Sequence, residues 1–407
     1  MHFESIKNKI VLLRCDFNEP IKDEFLESTK RIDTNIITIH ELLARKNKVI
    51  LISHHSDTGQ TMLPIFNYLK NVFKDTSSCN INYINSIDQG IIKNYFNLNK
   101  NTHLDFNNPE SENIILLENT RLFGEDLDES NDLEFAKFLA SLADCYVYDA
   151  FSVGHREHAS TSGVAKLLPS CFGPTFLKEY NSLKKITDEL DSSLIFMGGA
   201  KLSTKLPMVN KFLDAGAIVC LGGAMTHLIL KNNYLKNKNE INCVDIKDSY
   251  IEKDFELDEN TFDKLSQHIE NKNLILPKTL IWNTEGDTKN TILKNEVKIV
   301  DNIFDFKQIE EMILNKNIKN ILWNGPVGMY ENQEVEGSSQ IYSFIKNTDN
   351  DIDRKIFSVL GGGDTLTLLE ELDKDFEKNF SYVSLSGGAM LEFLSTGTLP
   401  MLKVIKI

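Results

Sequence analysis

The chain of 407 residues predicts an α/β protein with two doubly wound, Rossmann-like parallel-sheet domains joined by a helix. Two observations lead to this prediction. Short apolar runs, typical of buried parallel strands, repeatedly end in glycines or polar residues, and a helical pattern follows them. The chain is also too long for one ordinary core, since a domain usually holds about 100 to 200 residues.

Composition restricts the class of ligand. Hydrophobic residues make up 41% of the chain and charged residues 25%, which is typical of a globular protein. A formal net charge of −15 argues against general binding to nucleic acid or to a membrane surface. An anionic ligand therefore needs a local cluster of cations. Arginine is scarce, with six residues against 38 lysines, so the position of each arginine is informative.

Cysteine usage and the apolar runs predict a cytoplasmic protein. The six cysteines form no CxxC pair and have no metal-ligand spacing, so reduced thiols in the core are expected. The start of the sequence has no signal-like apolar region, and no apolar run approaches the ~18 residues of a membrane span.

In the first half, four predicted strands end in polar side chains. They lie within 9–18 (KIVLLRCDFN), 49–54 (VILISH), 114–121 (IILLENTR) and 145–156 (CYVYDAFSVGHR). Asp16 and Asn18 follow the first strand and His54 ends the second. Because the carboxyl ends of parallel strands meet at one edge of the sheet, these groups are candidates for a ligand site.

Three arginines, Arg31, Arg121 and Arg156, belong to these polar segments or to the helix that follows the first of them. Guanidinium groups gathered at one sheet edge repel each other unless an anion lies among them, and arginine binds carboxylate and phosphate through paired hydrogen bonds. A ligand carrying both groups fits. Taken singly, each arginine is also compatible with an ordinary surface charge, and His54 and His155 with structural histidines.

A break in the pattern marks the join between the domains. Pro169, Gly173 and Pro174 interrupt regular structure just before an amphipathic helix begins. The second half then has its own series of strands and helices.

Glycine-rich turns follow four predicted strands of the second half, at 193–205, 217–224, 357–365 and 384–392. Glycines allow close approach of the backbone to an anion, and helix N-termini favour phosphate. In the first turn Lys201 and Lys205 share a helix face. The third reads GGGDT, Gly361, Gly362, Gly363, Asp364 and Thr365, in which an acid beside phosphates suggests Mg²⁺. The run 321–331 (ILWNGPVGMYE) adds Asn324 and Glu331, whereas a P-loop and a GxGxxG motif are both absent from the sequence.

An anion site in one half and a nucleotide-like phosphate site in the other favour phosphoryl transfer. The same segments, in this order, resemble the phosphoglycerate kinase family: RCDFN, SH, ENTR, YDAFSVGHREHAST, GGAKLSTK, WNGPVGMYE, GGGDT and SGGAMLE. The resemblance extends over nearly the whole chain.

The resemblance implies that residues 1–172 with 394–407 bind 3-phosphoglycerate, and that 173–393 contain the hinge helix and the nucleotide domain. It assigns Asp16, Asn18, Arg31, His54, Arg121 and Arg156 to the substrate. It assigns Lys201, Lys205, Asn324, Glu331 and 361–365 to the nucleotide, with Asp364 at Mg²⁺. Arg31 and Lys201 are the expected catalytic residues, ATP or ADP the expected partner, and a monomer the expected state.

Four departures from the family pattern are specific. Asp57 in SHHSDT stands where an arginine is expected, which reverses a charge in the proposed basic cluster. DNIF at 301–304 stands where DIGP is expected, near the adenine pocket. Tyr148 replaces Asn and Leu385 replaces Thr.

We therefore expect a cytoplasmic, monomeric kinase that transfers phosphoryl reversibly between 1,3-bisphosphoglycerate and ADP. Asp57 and the 301–304 segment leave two alternatives. One is a catalytically degenerate relative that binds nucleotide and acts as a partner protein, and the other is a kinase for a different phosphorylated acid.

Overall fold

A computed structural model describes most of the chain as two compact units, Met1–Asn181 with Thr398–Ile407 and Ser182–Gly397. The described residues are 1–74, 79–99, 113–124, 126–199, 202–226, 228–229, 258–283, 298–330, 335–349 and 356–407. The sequence predicted that residues 1–172 with 394–407 bind the acid substrate and that residues 173–393 bind the nucleotide. This division remains a prediction.

The first unit is built on a six-stranded parallel sheet of order β5-β6-β4-β1-β7-β8. Its strands are β1 Ile10–Arg14, β4 Lys48–Ile52, β5 Ile81–Ile84, β6 Ile114–Leu117, β7 Cys145–Tyr148 and β8 Ser170–Phe172, and a hairpin adds β2 Ile21–Lys22 and β3 Phe25–Leu26. The four inner strands are almost wholly buried, which explains their continuous apolar runs.

Helices of the first unit are amphipathic and cover its sheet. They are α1 Lys30–Ala44, α2 Leu63–Phe73, α3 Gln89–Asn99, α4 Leu133–Ala140 and the first part of α5 Pro174–Asp188. Ile32, Ile39 and Leu42 of α1 recur at helical spacing and lie in the core with the sheet.

The chain reverses its direction across this sheet between β1 and β7. From β1 it moves to β4 on one side, and β7 and β8 are added on the other. Arg14 pairs in register with Ile52 of β4 and with Tyr148 of β7. The residues that follow these three strands therefore surround the topological switch point, where doubly wound sheets bind ligands.

The second unit repeats this architecture. Its parallel sheet has the order β11-β10-β9-β14-β15-β16, with the switch point between β9 and β14. Its strands are β9 Ser193–Met197, β10 Ile218–Leu221, β11 Leu274–Ile275, β14 Asn320–Asn324, β15 Phe357–Gly361 and β16 Tyr382–Ser384, with an antiparallel pair of β12 Thr279–Asn283 and β13 Lys298–Ile303. The predicted α/β class with parallel sheets is confirmed.

The described helices of the second unit include α6 Leu202–Asp214, α7 Glu259–Glu270, α8 Phe306–Lys316, α9 Glu336–Asp349, α10 Gly363–Leu372 and α11 Gly387–Thr396. Four of them begin soon after a strand ends: α6 after β9, α8 after β13, α10 after β15 and α11 after β16. After α11 the chain returns to the first unit, where α12 Pro400–Val404 lies and the Met401 N–H donates to the Gly154 carbonyl at 3.3 Å.

The predicted helix after Pro174 is α5, and a buried carboxylate caps its start. Asp149 Oδ1 accepts the Phe176 N–H at 2.8 Å, and Asn35 and Thr38 donate to Oδ2. Burial raises the pKa of Asp149 to about 6. Gly173 is required here, because a Cβ at that position would overlap the Asp149 side chain.

Two further sequence expectations concern the cysteines and membrane-spanning segments. Cys15, Cys145, Cys171 and Cys220 are free and buried, and Cys79 is free and half-buried. Within the described ranges, no helix combines the length and apolarity needed to cross a bilayer.

Candidate active site

A cluster of cations surrounds His54 at the switch point of the first sheet. His54 follows β4 and is 5% exposed. Burial, followed by the positive charges of Arg14, Arg121 and Arg156, lowers the pKa of His54 well below its ordinary value. The structure thus brings together three of the predicted substrate residues, His54, Arg121 and Arg156.

Arg14 belongs to this cluster although the motif analysis did not select it. It ends β1, is fully buried, and lies with Nη2 3.2 Å from His54 Nδ1. The available signal was a charged residue inside an otherwise apolar strand, two positions before Asp16. Such a residue is seldom fully buried without a specific polar environment. His158 was missed as well, and burial lowers its pKa.

Arg31 and Asp16 form a separate, half-buried pair near β1. Arg31 Nη1 lies 2.6 Å from Asp16 Oδ2, and the Arg31 backbone N–H donates to Glu19 Oε1. Asn18 Oδ1 accepts the Ser56 N–H at 2.8 Å. The Asp16–Arg31 pair leaves further guanidinium donors of Arg31 for a ligand, since guanidinium has five N–H groups.

The guanidinium groups of Arg121 and Arg156 have fewer hydrogen-bond partners among the described residues than that of Arg14. Arg121 Nη1 donates to the Ser56 carbonyl at 2.9 Å and Nη2 pairs with Glu129 Oε1 at 2.5 Å. Its Nε is buried without a partner among the described residues. Arg156 Nε donates to His155 Nε2 at 3.3 Å, and burial followed by the charge of Arg156 lowers the pKa of His155.

Asp57, the unexpected acid, caps its own exposed turn. Its Oδ1 accepts the Gly59 N–H at 2.8 Å, and its backbone N–H donates to His55 Nδ1 at 3.1 Å. The side chain is exposed, so solvent screens its negative charge. The residue therefore removes an expected cation, while its own carboxylate is already engaged in a local hydrogen bond.

In the second unit, glycine loops from neighbouring strands pack backbone against backbone at the switch point. The Gly198 N–H donates to the Asn324 carbonyl at 3.0 Å, and the Gly199 N–H to the Pro326 carbonyl at 2.8 Å. A Cβ on Gly325 would overlap Gly198 and Lys205 Nζ. Lys205 is buried, and its Nζ donates to the Gly198 carbonyl at 2.6 Å.

Asn324 ends β14 with an unused donor. It is 2% exposed, and its Nδ2 has no hydrogen-bond partner among the described residues. A Cβ built on Gly362 would lie 3.3 Å from this nitrogen, so the amide adjoins the GGGDT loop. A buried donor left unpaired costs about 1–3 kcal/mol, which a ligand oxygen at this place would recover.

The GGGDT loop forms an open cradle at the start of α10. Gly361 ends β15 beside Met390, and Gly362 has a φ of 101°, which favours glycine. Gly363 would bear a Cβ with no atom within 4 Å. Thr365 Oγ1 accepts the Gly325 N–H at 2.9 Å, which ties this loop to the end of β14. Unpaired N–H groups of the first helical turn favour phosphate here.

Asp364 is exposed and follows Gly363 in the first turn of α10, within the GGGDT loop itself. One carboxylate with substrate phosphates and water is a usual environment for Mg²⁺, so the residues present fit that ion. The residues that the structure describes contain no cluster of three or more His, Cys, Asp or Glu suited to a metal. The predicted site residues Lys201 and Glu331 lie outside the described residues.

The DNIF segment at 301–304, which stands where DIGP was expected, packs into the interior of the second unit. Asp301 is buried and accepts the Gly337 N–H at 2.8 Å at the start of α9, and Asn302 Nδ2 donates to the Val327 carbonyl at 2.6 Å. Phe304 is buried beside Gly222 and Phe196. These side chains thus have structural partners in place of the expected Gly and Pro.

Comparison with known proteins agrees with this geometry. A family profile described as phosphoglycerate kinase matches residues 2–397. A curated phosphoglycerate kinase from Wolbachia sp. subsp. Brugia malayi is 32% identical over 421 residues, covering 98% of this chain and 97% of the relative. One from Pseudothermotoga lettingae is 31% identical over 425 residues, covering 98% and 96%.

Solved structures show the same likeness. The structure of phosphoglycerate kinase from Coxiella burnetii has a TM-score of 0.75 and 25% identity, covering 98% of this chain and 96% of that chain. Phosphoglycerate kinase from Pyrococcus horikoshii OT3, with a TM-score of 0.71 and 22% identity at the same coverage, shares the fold. From the profile match and these relatives, the chain belongs to the phosphoglycerate kinase family.

Proposed function

We propose that this protein is an active phosphoglycerate kinase, transferring phosphoryl reversibly between 1,3-bisphosphoglycerate with ADP and 3-phosphoglycerate with ATP. One observation supports it above others. A chain matched by this family over residues 2–397 keeps a cation cluster at one switch point. At the other it keeps a glycine-lined site with a buried amide donor, Asn324 Nδ2, that has no partner in the part of the chain that the structure describes.

The acid substrate carries a phosphate and a carboxylate, which match the two cationic groups of the first unit. The cluster of His54, Arg121 and Arg156 suits one anionic group, and Arg31, oriented by Asp16, suits the other. A carboxylate is already an adequate nucleophile, so this reaction needs no general base. The task of these residues is to hold and orient the acceptor.

The nucleotide belongs to the second unit. Lys205, Asn324 and the loop from Gly361 to Thr365 would hold its phosphates, and Lys201 would neutralise the migrating phosphoryl group. Mg²⁺ carried with the nucleotide and held by Asp364 would neutralise charge on the phosphate oxygens. The N-termini of α6, α10 and α11 add favourable electrostatics towards developing negative charge.

The proposal includes a monomeric state and a cytoplasmic location. Support for the location comes from cysteine usage, because the five described cysteines are free thiols. The formal net charge of −15 supports the proposal that the protein has no nucleic-acid or membrane partner.

A coupled assay of the purified chain with MgATP and 3-phosphoglycerate tests the proposal. We expect turnover in the parent, its loss in Lys201→Ala, and its retention in Lys264→Ala, a control at an exposed lysine paired with Asp214. Asp57→Arg is expected to lower KM for 3-phosphoglycerate by restoring a cation. Bound nucleotide without turnover on any phosphorylated acid would instead indicate a degenerate binding protein, and turnover on another acid alone would indicate a different kinase.

A further inference from the structure

We propose that Arg14 is a positioning residue that holds His54 neutral, with its ring proton on Nε2, so that His54 meets the substrate anion as a hydrogen-bond donor and not as a cation. The inference rests on the proposed function, since it concerns how the acid substrate is held. It goes further in assigning a protonation state and the residue responsible for it.

The direction of one hydrogen bond determines the tautomer. Arg14 Nη2 lies 3.2 Å from His54 Nδ1. A guanidinium has donors and no acceptor, so Nδ1 must present its lone pair. The single ring proton of His54 is then on Nε2. A doubly protonated ring would direct an N–H of Nδ1 against an N–H of Arg14, which is unfavourable.

Arg14 is held in this orientation from three other directions. Its Nη1 donates to the Cys15 carbonyl at 2.6 Å and to Ser53 Oγ at 3.3 Å, and its Nε donates to Ser160 Oγ at 3.2 Å. Because Arg14 is fully buried, turning the guanidinium away would leave these donors unpaired.

Asp128 holds Ser160 in place through two hydrogen bonds. The Ser160 backbone N–H donates to Asp128 Oδ1 at 2.7 Å, and the Ser160 Oγ donates to Oδ2 at 3.0 Å. Ser160 lies in a single π-helical turn, Ala159–Gly163, an uncommon conformation that occurs often at functional sites. The orientation of the Arg14 guanidinium is therefore set by the tertiary structure.

The charges around His54 act in the same direction. Arg14 comes from β1, Arg121 from the turn after β6, and Arg156 and His158 from the segment after β7; all four disfavour a positive ring. Asp128 and Glu129 oppose this effect, acting mainly on His158, Ser160 and Arg121. Among the described residues none is hydrogen-bonded to His54 Nε2, which leaves that N–H for a ligand oxygen.

Nitrogen NMR of the whole protein, ¹⁵N-labelled at histidine, tests the assignment without any activity measurement. The ring signals that vanish in His54→Gln identify His54. Between pH 6 and pH 8 we expect a neutral ring protonated on Nε2. A ring protonated on Nδ1, or an imidazolium at pH 6.5, would overturn the proposal. A protein inactive as a kinase but showing the Nε2 tautomer would refute the proposed function alone.

Arg14→Met tests whether Arg14 is responsible, with Arg45→Met as a control at an arginine paired with Glu41. We expect the pKa of His54 to be higher in Arg14→Met than in the parent, because one of the positive charges that lower it is removed, while burial and the charges of Arg121 and Arg156 still hold it below its ordinary value. The affinity of Arg14→Met for 3-phosphoglycerate, taken relative to that of the parent at each pH, should then increase from pH 7.5 to pH 5.5, because a larger fraction of the ring becomes protonated in the variant. An unchanged His54 signal in folded Arg14→Met would contradict the proposal. If that variant does not fold, the parent spectrum decides.

Discussion

Asn324→Leu separates nucleotide binding from stability in one substitution. The side chain is buried and its Nδ2 donor has no partner in the described part of the chain. Leucine has the same branching and the same number of heavy atoms as asparagine; it is larger and carries no polar atom. Removal of an unpaired buried donor is close to neutral or stabilising, whereas loss of a hydrogen bond to a charged ligand costs about 1.5–3 kcal/mol.

That range corresponds to a dissociation constant for MgADP raised by about tenfold to a hundredfold. At a ligand concentration of about one hundred times the parent constant, MgADP stabilises the parent by about 2.7 kcal/mol. With a constant tenfold higher, the same concentration stabilises Asn324→Leu by only about 1.4 kcal/mol.

Urea unfolding with and without MgADP, followed by tryptophan fluorescence, measures both quantities. The two tryptophans of the chain, Trp282 and Trp323, lie in the second unit, so their fluorescence reports its unfolding. Asn320→Leu is the matched control, because Asn320 begins the same strand, is equally buried, and donates to Glu189 Oε2 at 3.0 Å. We expect it to lower stability and leave MgADP affinity unchanged.

Binding of MgADP by Asn324→Leu as tight as that of the parent would contradict this role of Asn324. A loss of more than about 2 kcal/mol of stability in the variant without MgADP would also contradict it, because the amide would then be a structural group.

Three further predictions concern folding and the phosphate cradle. Tyr148→Phe should raise the free energy of unfolding by about 1 kcal/mol, because the buried Tyr148 hydroxyl has no partner in the described residues. Tyr146→Phe should lower the free energy of unfolding by a similar amount, because the Tyr146 hydroxyl donates to a backbone carbonyl at 2.7 Å. Urea titrations followed by circular dichroism compare the two variants with the parent. Because the pKa of Asp149 is raised in the folded protein, its contribution to stability is present below about pH 4 and is lost as the pH rises through 6. The free energy of unfolding of the parent relative to that of Asp149→Asn should therefore fall between these pH values. A difference that does not change with pH would contradict the effect of burial on this pKa. Gly362→Ala should destabilise the folded protein by about 1–2 kcal/mol, because the φ of Gly362 is 101°. Gly363→Ala should leave thermal stability unchanged and weaken MgATP binding, because its Cβ would enter the open cradle. Equal effects of the two substitutions on stability and on MgATP binding would contradict these different roles.

Part of the candidate site could be predicted because it depends on local chain properties. Strand-like runs that end in glycine or in a polar residue identify the carboxyl ends of β1, β4, β9, β14 and β15, and a doubly wound sheet brings such ends to one edge. His54, Asn324 and the loop from Gly361 were selected on this basis and lie at those ends.

Other features depend on contacts between distant parts of the chain. Arg14 and His54 are 40 residues apart, and Ser160, which holds Arg14, is 146 residues from it. The capping of its own turn by Asp57 depends on the fold of a loop for which the sequence predicted only a reversed charge.

The sequence by itself determined the α/β class, the sheet edges that carry polar groups and the types of group available there, because periodicity and turn chemistry are local. The tertiary structure decided strand order, such as β5 lying outside β6, and the pairing of each polar atom. Within the described ranges it left Asn324 Nδ2 without a hydrogen-bond partner, and it placed Arg14 Nη2 against His54 Nδ1. These outcomes follow from burial, since an amide or imidazole is satisfied or left unpaired only by the atoms that packing places beside it.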